Sequence, residues 1–101
     1  MSPTDAELRA LLMDCLALWG VGGRVAAGAE GMQIATDRGV YLVQRAPPDM
    51  RPVRWLLQTP ERRAAARPPR VAPSIVALLT ALRNALGAEA GNRVRIGASA
   101  S

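Results

Sequence analysis

The change of hydrophobic period along the chain constrains its fold more than any other feature. Leu8, Leu11, Leu12, Cys15, Leu16 and Trp19 recur at three- and four-residue spacing, the pattern of one apolar helix face. Ile75, Leu78, Leu79, Leu82 and Leu86 repeat it near the other end, with Val76 widening the stripe. Between these stripes "MQIAT" (32–36) and "VYLVQRA" (40–46) read as two strands, the period having changed from that of a helix to that of an extended chain. Packing both leucine stripes on one face of a sheet is the simplest way to bury them.

Local signals set the boundaries. Thr4-Asp5-Ala6-Glu7 has the form of a capping box and opens a helix over 4–19 that Gly20 closes. The five glycines of 20–31 make a loop, with room for a short strand at Arg24–Ala27. Asp37-Arg38-Gly39 is a tight hairpin turn, and "PPDMRP" (47–52) is a looser one. "VRWLLQT" (53–59) reads as a third strand with Val53, Trp55 and Leu57 on one face, although Val53, Leu56 and Leu57 also fit a helix.

Thr59-Pro60-Glu61 can start another helix, which Pro68-Pro69 must stop within about two turns. So short a helix is marginal alone, and 60–72 is expected to be an exposed basic connector. Pro73 and Ser74 open the last helix and Gly87 is its natural stop. The expected fold is α+β: an α-β-β-β-α domain over 1–87, a three-stranded antiparallel sheet with two helices on one face. Residues 88–101 are expected to be a flexible tail, with an optional strand at Arg93–Ile96.

Charge is distributed unevenly. All thirteen basic residues are arginine, and alanine is the commonest residue, a mark of GC-rich coding that makes arginine abundance alone a poor sign of nucleic-acid binding. Its placement says more. Arg45, Arg51, Arg54, Arg62, Arg63, Arg67 and Arg70, against Asp49 and Glu61, hold the whole formal charge of +5 within residues 45–70. Guanidinium forks bind phosphate oxygens in pairs, so these seven are the candidate contacts to an anion or to RNA or DNA.

Several functions are struck off by what the chain lacks. It has no histidine, the usual general base and metal ligand, and one cysteine, so no internal disulfide. Cys15 sits late on an apolar helix stripe, which is a core position rather than that of a nucleophile. The glycine loop follows a helix and leads into strands, the reverse of a phosphate loop. No pair of carboxylates is brought together by spacing. A non-enzymatic protein without cofactor or metal is expected. The acidic N-terminus is unlike a signal peptide and no apolar run reaches membrane-spanning length, so a reducing cytoplasm is the expected compartment.

An open sheet has edges and a second face to cover. Leu42 and Leu56 are the candidate interface residues on that face, and a homodimer or an accessory subunit is the favoured role. The α-β-β-β-α order, with arginines at 62–70 ahead of the helix at 75–86, resembles the layout of the double-stranded RNA-binding domain. That resemblance implies contact with duplex RNA. "RRAAARPPRVAPS" departs from it, because its prolines separate the arginines from the last helix, and the 37–39 turn offers no long basic loop.

Overall fold

The computed structural model describes residues 3–100, those from 88 onward as helical backbone alone. The chain is α+β, but its antiparallel sheet has five strands rather than three. Helix α1 spans Asp5–Trp19 and leads into β1 (Arg24–Gly28), β2 (Gly31–Thr36) and β3 (Gly39–Arg45). A 3-10 turn at Pro48–Met50 precedes β4 (Trp55–Gln58), α2 (Pro60–Ala64), β5 (Arg70–Ala72) and α3 (Ile75–Ala100). Each strand pairs with its sequence neighbour, so the sheet is a plain meander in the order β1-β2-β3-β4-β5.

The first helix forms as its ends dictate. Thr4 Oγ1 accepts from the Glu7 amide at 3.1 Å, and the Thr4 amide donates to Glu7 Oε1 at 2.9 Å. At the other end Gly20 takes a left-handed φ of 70°. The Val21 amide then reaches Leu16 O and the Gly20 amide reaches Ala17 O, the paired bonds of a Schellman motif.

The two extra strands correct the expected layout. The short strand allowed for at 24–27 is present and runs to Gly28, joining β2 through a two-residue turn. Of its side chains only Val25 is buried, which is why a glycine- and alanine-rich stretch gave so faint a strand signal. Strand β5 lies inside what was expected to be a connector: Trp55 pairs with Ala72, Leu56 with Val71 and Leu57 with Arg70. Three residues between Pro69 and Pro73 carry no periodic signal, and an edge strand tolerates flanking prolines because one side of its backbone needs no partner. A five-strand meander also departs from the three-strand layout of the RNA-binding domain named above.

Residues 55–58 are a strand, not a helix, with Trp55 and Leu57 buried and Leu56 and Gln58 half-buried. Helix α3 is recorded to Ala100, so Gly87 does not end it and the backbone at 93–96 is helical. The alanine-rich sequence around Gly87 favours helix enough to absorb a cost of about 1 kcal/mol for one glycine. The side chains of the expected tail, 88–101, lie outside the described residues.

The core is one cluster. Leu8, Leu12 and Leu16 of α1 and Leu78, Leu82 and Leu86 of α3 join every second residue of the sheet: Val25, Met32, Ile34, Tyr41, Val43, Trp55, Leu57 and Ala72. Helix α1 packs on β1, and α3 on β4 and β5. Burying each of these large side chains contributes roughly 1.5–3 kcal/mol before ordering entropy is set against it.

Candidate functional site

Six of the seven arginines border two separate cavities. Arg62, Arg67 and Arg70 line a cavity of about 310 Å³ with Tyr41, Thr59, Glu61 and, from α3, Asn84 and Ala85. Arg45, Arg51 and Arg54 border a separate cleft of about 200 Å³ beside Trp55 and Pro47–Pro48. Arg63 is exposed on α2 and borders neither. The two groups sit at opposite ends of β4, whose four residues span roughly 13 Å at the usual rise.

Local backbone explains why the first group converges. Thr59 caps α2, its Oγ1 accepting from the Arg62 amide at 3.2 Å. The helix ends in a second Schellman motif: the Arg67 amide reaches Arg62 O at 2.8 Å and the Ala66 amide reaches Arg63 O at 3.1 Å. Ala66 holds the left-handed position, φ 55°, that glycine fills at the end of α1. This turn folds Arg67 back beside Arg62. Arg62 Nε donates to Pro68 O at 2.8 Å, and Gln58 Nε2 donates to Arg67 O at 3.2 Å, tying the connection to the sheet. Arg70 enters from β5, opposite Leu57.

Within the second group Arg45 is already engaged. Its guanidinium lies over the Trp55 ring, pairs with Asp5 at 3.4 Å and donates to Pro3 O. Trp55 is therefore a core residue covered by its own chain.

The alternate sheet positions form a second candidate surface. Ala26 and Arg24 of β1, Gln33 and Ala35 of β2, Val40, Leu42 and Gln44 of β3, Leu56 and Gln58 of β4, and Val71 of β5 fall on the face opposite the core in one register. Arg24 is the sole ionisable residue among them. Val71 is 56% exposed and Val40 38%. Leu56 is half-buried, but Leu42 is only 5% exposed, flanked in register by Gln33 and Gln58. Leu42 therefore belongs to the folded chain more than to a free surface, and Val71, hidden in the supposed connector, is the residue the sequence reading missed. Gln58 Oε1 is buried with no donor among the described residues.

Cys15 is half-buried, and burial first, then the neighbouring Asp14 charge, pushes its thiol above the ordinary value. Such a thiol is the less nucleophilic form. Trp19 packs, partly buried, on the core. Among the described residues no three Cys, Asp or Glu side chains come together as a metal-holding group, and no helix is long and apolar enough to cross a membrane. No protein-family profile, curated protein or solved structure matches the chain.

Proposed function

We propose that the chain is a non-catalytic interaction module, in which two helices cover one face of the sheet and the other face packs on a second copy of the same chain. The observation that carries this is the charge content of that face. In a sequence with 21% charged residues, the alternate positions of five strands hold one arginine, at the outer edge. Alanine, valine, leucine and glutamine fill the rest.

A like copy suits this surface. The chain's formal charge of +5 opposes self-association in general, yet face-to-face packing here would set almost no charge against its like. Glutamine amides are both donors and acceptors, so Gln33 and Gln44 are self-complementary across a twofold axis. The footprint, five strands at about 4.8 Å by three to seven residues at about 3.3 Å, is roughly 400 Å². That is below the roughly 800 Å² per partner of a standard interface, so a micromolar dimer is expected. A reducing cytoplasm suits a chain with one unpaired cysteine.

Sedimentation equilibrium from about 10 to about 500 µM tests the reading. The wild type should dimerise at about 0.5 M salt, where phosphate-type contacts are screened, and Leu56→Lys and Val71→Lys should be monomeric with unchanged circular dichroism. A wild type monomeric throughout, or a dimer indifferent to both changes, sinks it. The second reading, contact with RNA or DNA through Arg45–Arg70, draws less support because the arginines divide into two groups and Arg45 is occupied.

A further inference from the structure

We propose that the cavity between the α2–β5 connection and α3 binds a phosphate dianion, free or as the monoester end of a small molecule, independently of the sheet face. Among the described residues three arginines and one glutamate border it, three positive charges against one negative, a balance of +2. A doubly charged tetrahedral oxyanion matches that balance, and it matches the geometry in which guanidinium forks donate in pairs.

The site is built rather than incidental. Arg62 Nε is spent on Pro68 O, which fixes the plane of its guanidinium, while its terminal nitrogens make no hydrogen bond among the described residues. The Arg67 and Arg70 guanidiniums have no partner there either, and Glu61 forms no ion pair with any of the three. Neighbouring cations left unpaired repel one another. Here the chain gathers them with a left-handed alanine at residue 66, a backbone conformation that must be held against its own cost. Asn84 adds amide donors from the α3 side, and Ala85 an apolar wall.

Size points to a small ligand. About 310 Å³ stands at the lower end of small-molecule pockets. It holds a phosphate group with a short organic remainder. A polymer backbone would need the arginines strung along a groove, whereas Arg51 and Arg54 lie at the other end of β4.

Calorimetric titration of the full chain at low ionic strength tests this with inorganic phosphate, a nucleoside 5′-monophosphate, and a blunt duplex lacking terminal phosphates. One-site binding of the first two is expected, with Kd below about 1 mM. Arg67→Gln/Arg70→Gln should weaken it by about 10-fold or more. Arg51→Gln/Arg54→Gln, which removes the same charge elsewhere, should leave it within about twofold. A tighter monophosphate identifies the monoester as ligand, and equal affinities identify free phosphate. In the wild type the Nε–H NMR signals of Arg62, Arg67 and Arg70 should move on titration. No saturation by about 10 mM of either anion, equal losses in the two double variants, binding of the duplex alone, or NMR shifts confined to other arginines would each overturn the proposal.

Discussion

The guanidinium carbon of Arg45 stands 5.0 Å from the centroid of the Trp55 ring, its partner in the β3–β4 register. The same side chain reaches Asp5 and the Pro3 carbonyl at the start of α1. One residue thus ties the N-terminus of the first helix to the end of the central hairpin. Stacking of a solvent-accessible guanidinium over the ring is worth about 0.5–1 kcal/mol, and an exposed ion pair no more than about 1.

Arg45→Ala should therefore lower the stability by about 1–2 kcal/mol, read as a shift in the urea midpoint at constant slope. Arg45→Met, which keeps an apolar stem over Trp55, should lose less. Asp5→Asn should cost under about 1 kcal/mol, because the Asp5 side chain is 74% exposed and that of Arg45 is 40% exposed. If Asp5→Asn cost as much as Arg45→Ala, the ion pair rather than the ring contact would be the clamp. Phosphate affinity should not respond to any of the three.

What the sequence makes legible here depends on how many residues share a signal. Helix α1 announces itself twice over, by six apolar positions at helical spacing and by a cap at each end, and it forms over Asp5–Trp19. The β2–β3 hairpin is as clear, since alternation on both sides of Asp37-Arg38-Gly39 can be satisfied in one register. Strand β1 shows one buried side chain, Val25, and β5 one, Ala72, so neither has a period to read. Tertiary pairing with a neighbouring strand, not local preference, makes these segments extended.

The candidate sites were legible in part for a related reason. Charge is a property of composition, so the arginine-rich stretch is visible without a structure. Which arginines meet is not. Arg67 comes beside Arg62 because Ala66 adopts a backbone conformation that nothing about alanine announces. Arg45 leaves the group because Trp55 and Asp5, fifty positions apart in sequence, converge on it.

The contrast between Gly20 and Ala66 yields a stability prediction. Both occupy the left-handed position of a Schellman motif, at φ 70° and 55°. Alanine there is strained by roughly 1–2 kcal/mol, while glycine gives back part of that through its looser unfolded chain. Ala66→Gly should stabilise the fold by about 0.5–1 kcal/mol, raising Tm by a few degrees. Ala66→Val, β-branched at positive φ, should lower it. A lower Tm for Ala66→Gly than for the wild type would mean that the turn is not held in this conformation.

Gly31 is constrained in a different way. Its φ is 139°, and a Cβ would come within 2.4 Å of the Val43 carbonyl oxygen, a backbone atom of the neighbouring strand. Gly31→Ala should cost about 2 kcal/mol or more, by strain and by spreading of the β2–β3 pair. Gly22 is the control, since a Cβ there meets nothing within 4 Å and no positive φ is required. Gly22→Ala should be neutral or stabilising by up to about 1 kcal/mol, through the unfolded chain. Equal losses at the two positions would contradict the placement of Gly31 in the sheet.

The capping box gives the stability a pH dependence of known sign. The Thr4 amide, which donates to the Glu7 carboxylate, and then the nearby Thr4 hydroxyl hold the Glu7 pKa below the ordinary value. A carboxyl whose folded pKa is depressed binds its proton more readily in the unfolded chain. Its contribution is thus complete above the ordinary glutamate range of about 4.3 and fades as the pH falls through the lower, folded value. Glu7→Gln should be less stable than the wild type at neutral pH, and the two should converge in acid as the wild-type carboxylate takes up its proton. Thr4→Ala should flatten the same acid limb, because it removes the hydroxyl that sets part of the shift. Urea midpoints measured from about pH 7 to about pH 2 check this. A gap between wild type and Glu7→Gln that stays constant over that range would show that Glu7 acts through packing or helix propensity, and not through the charge of its cap.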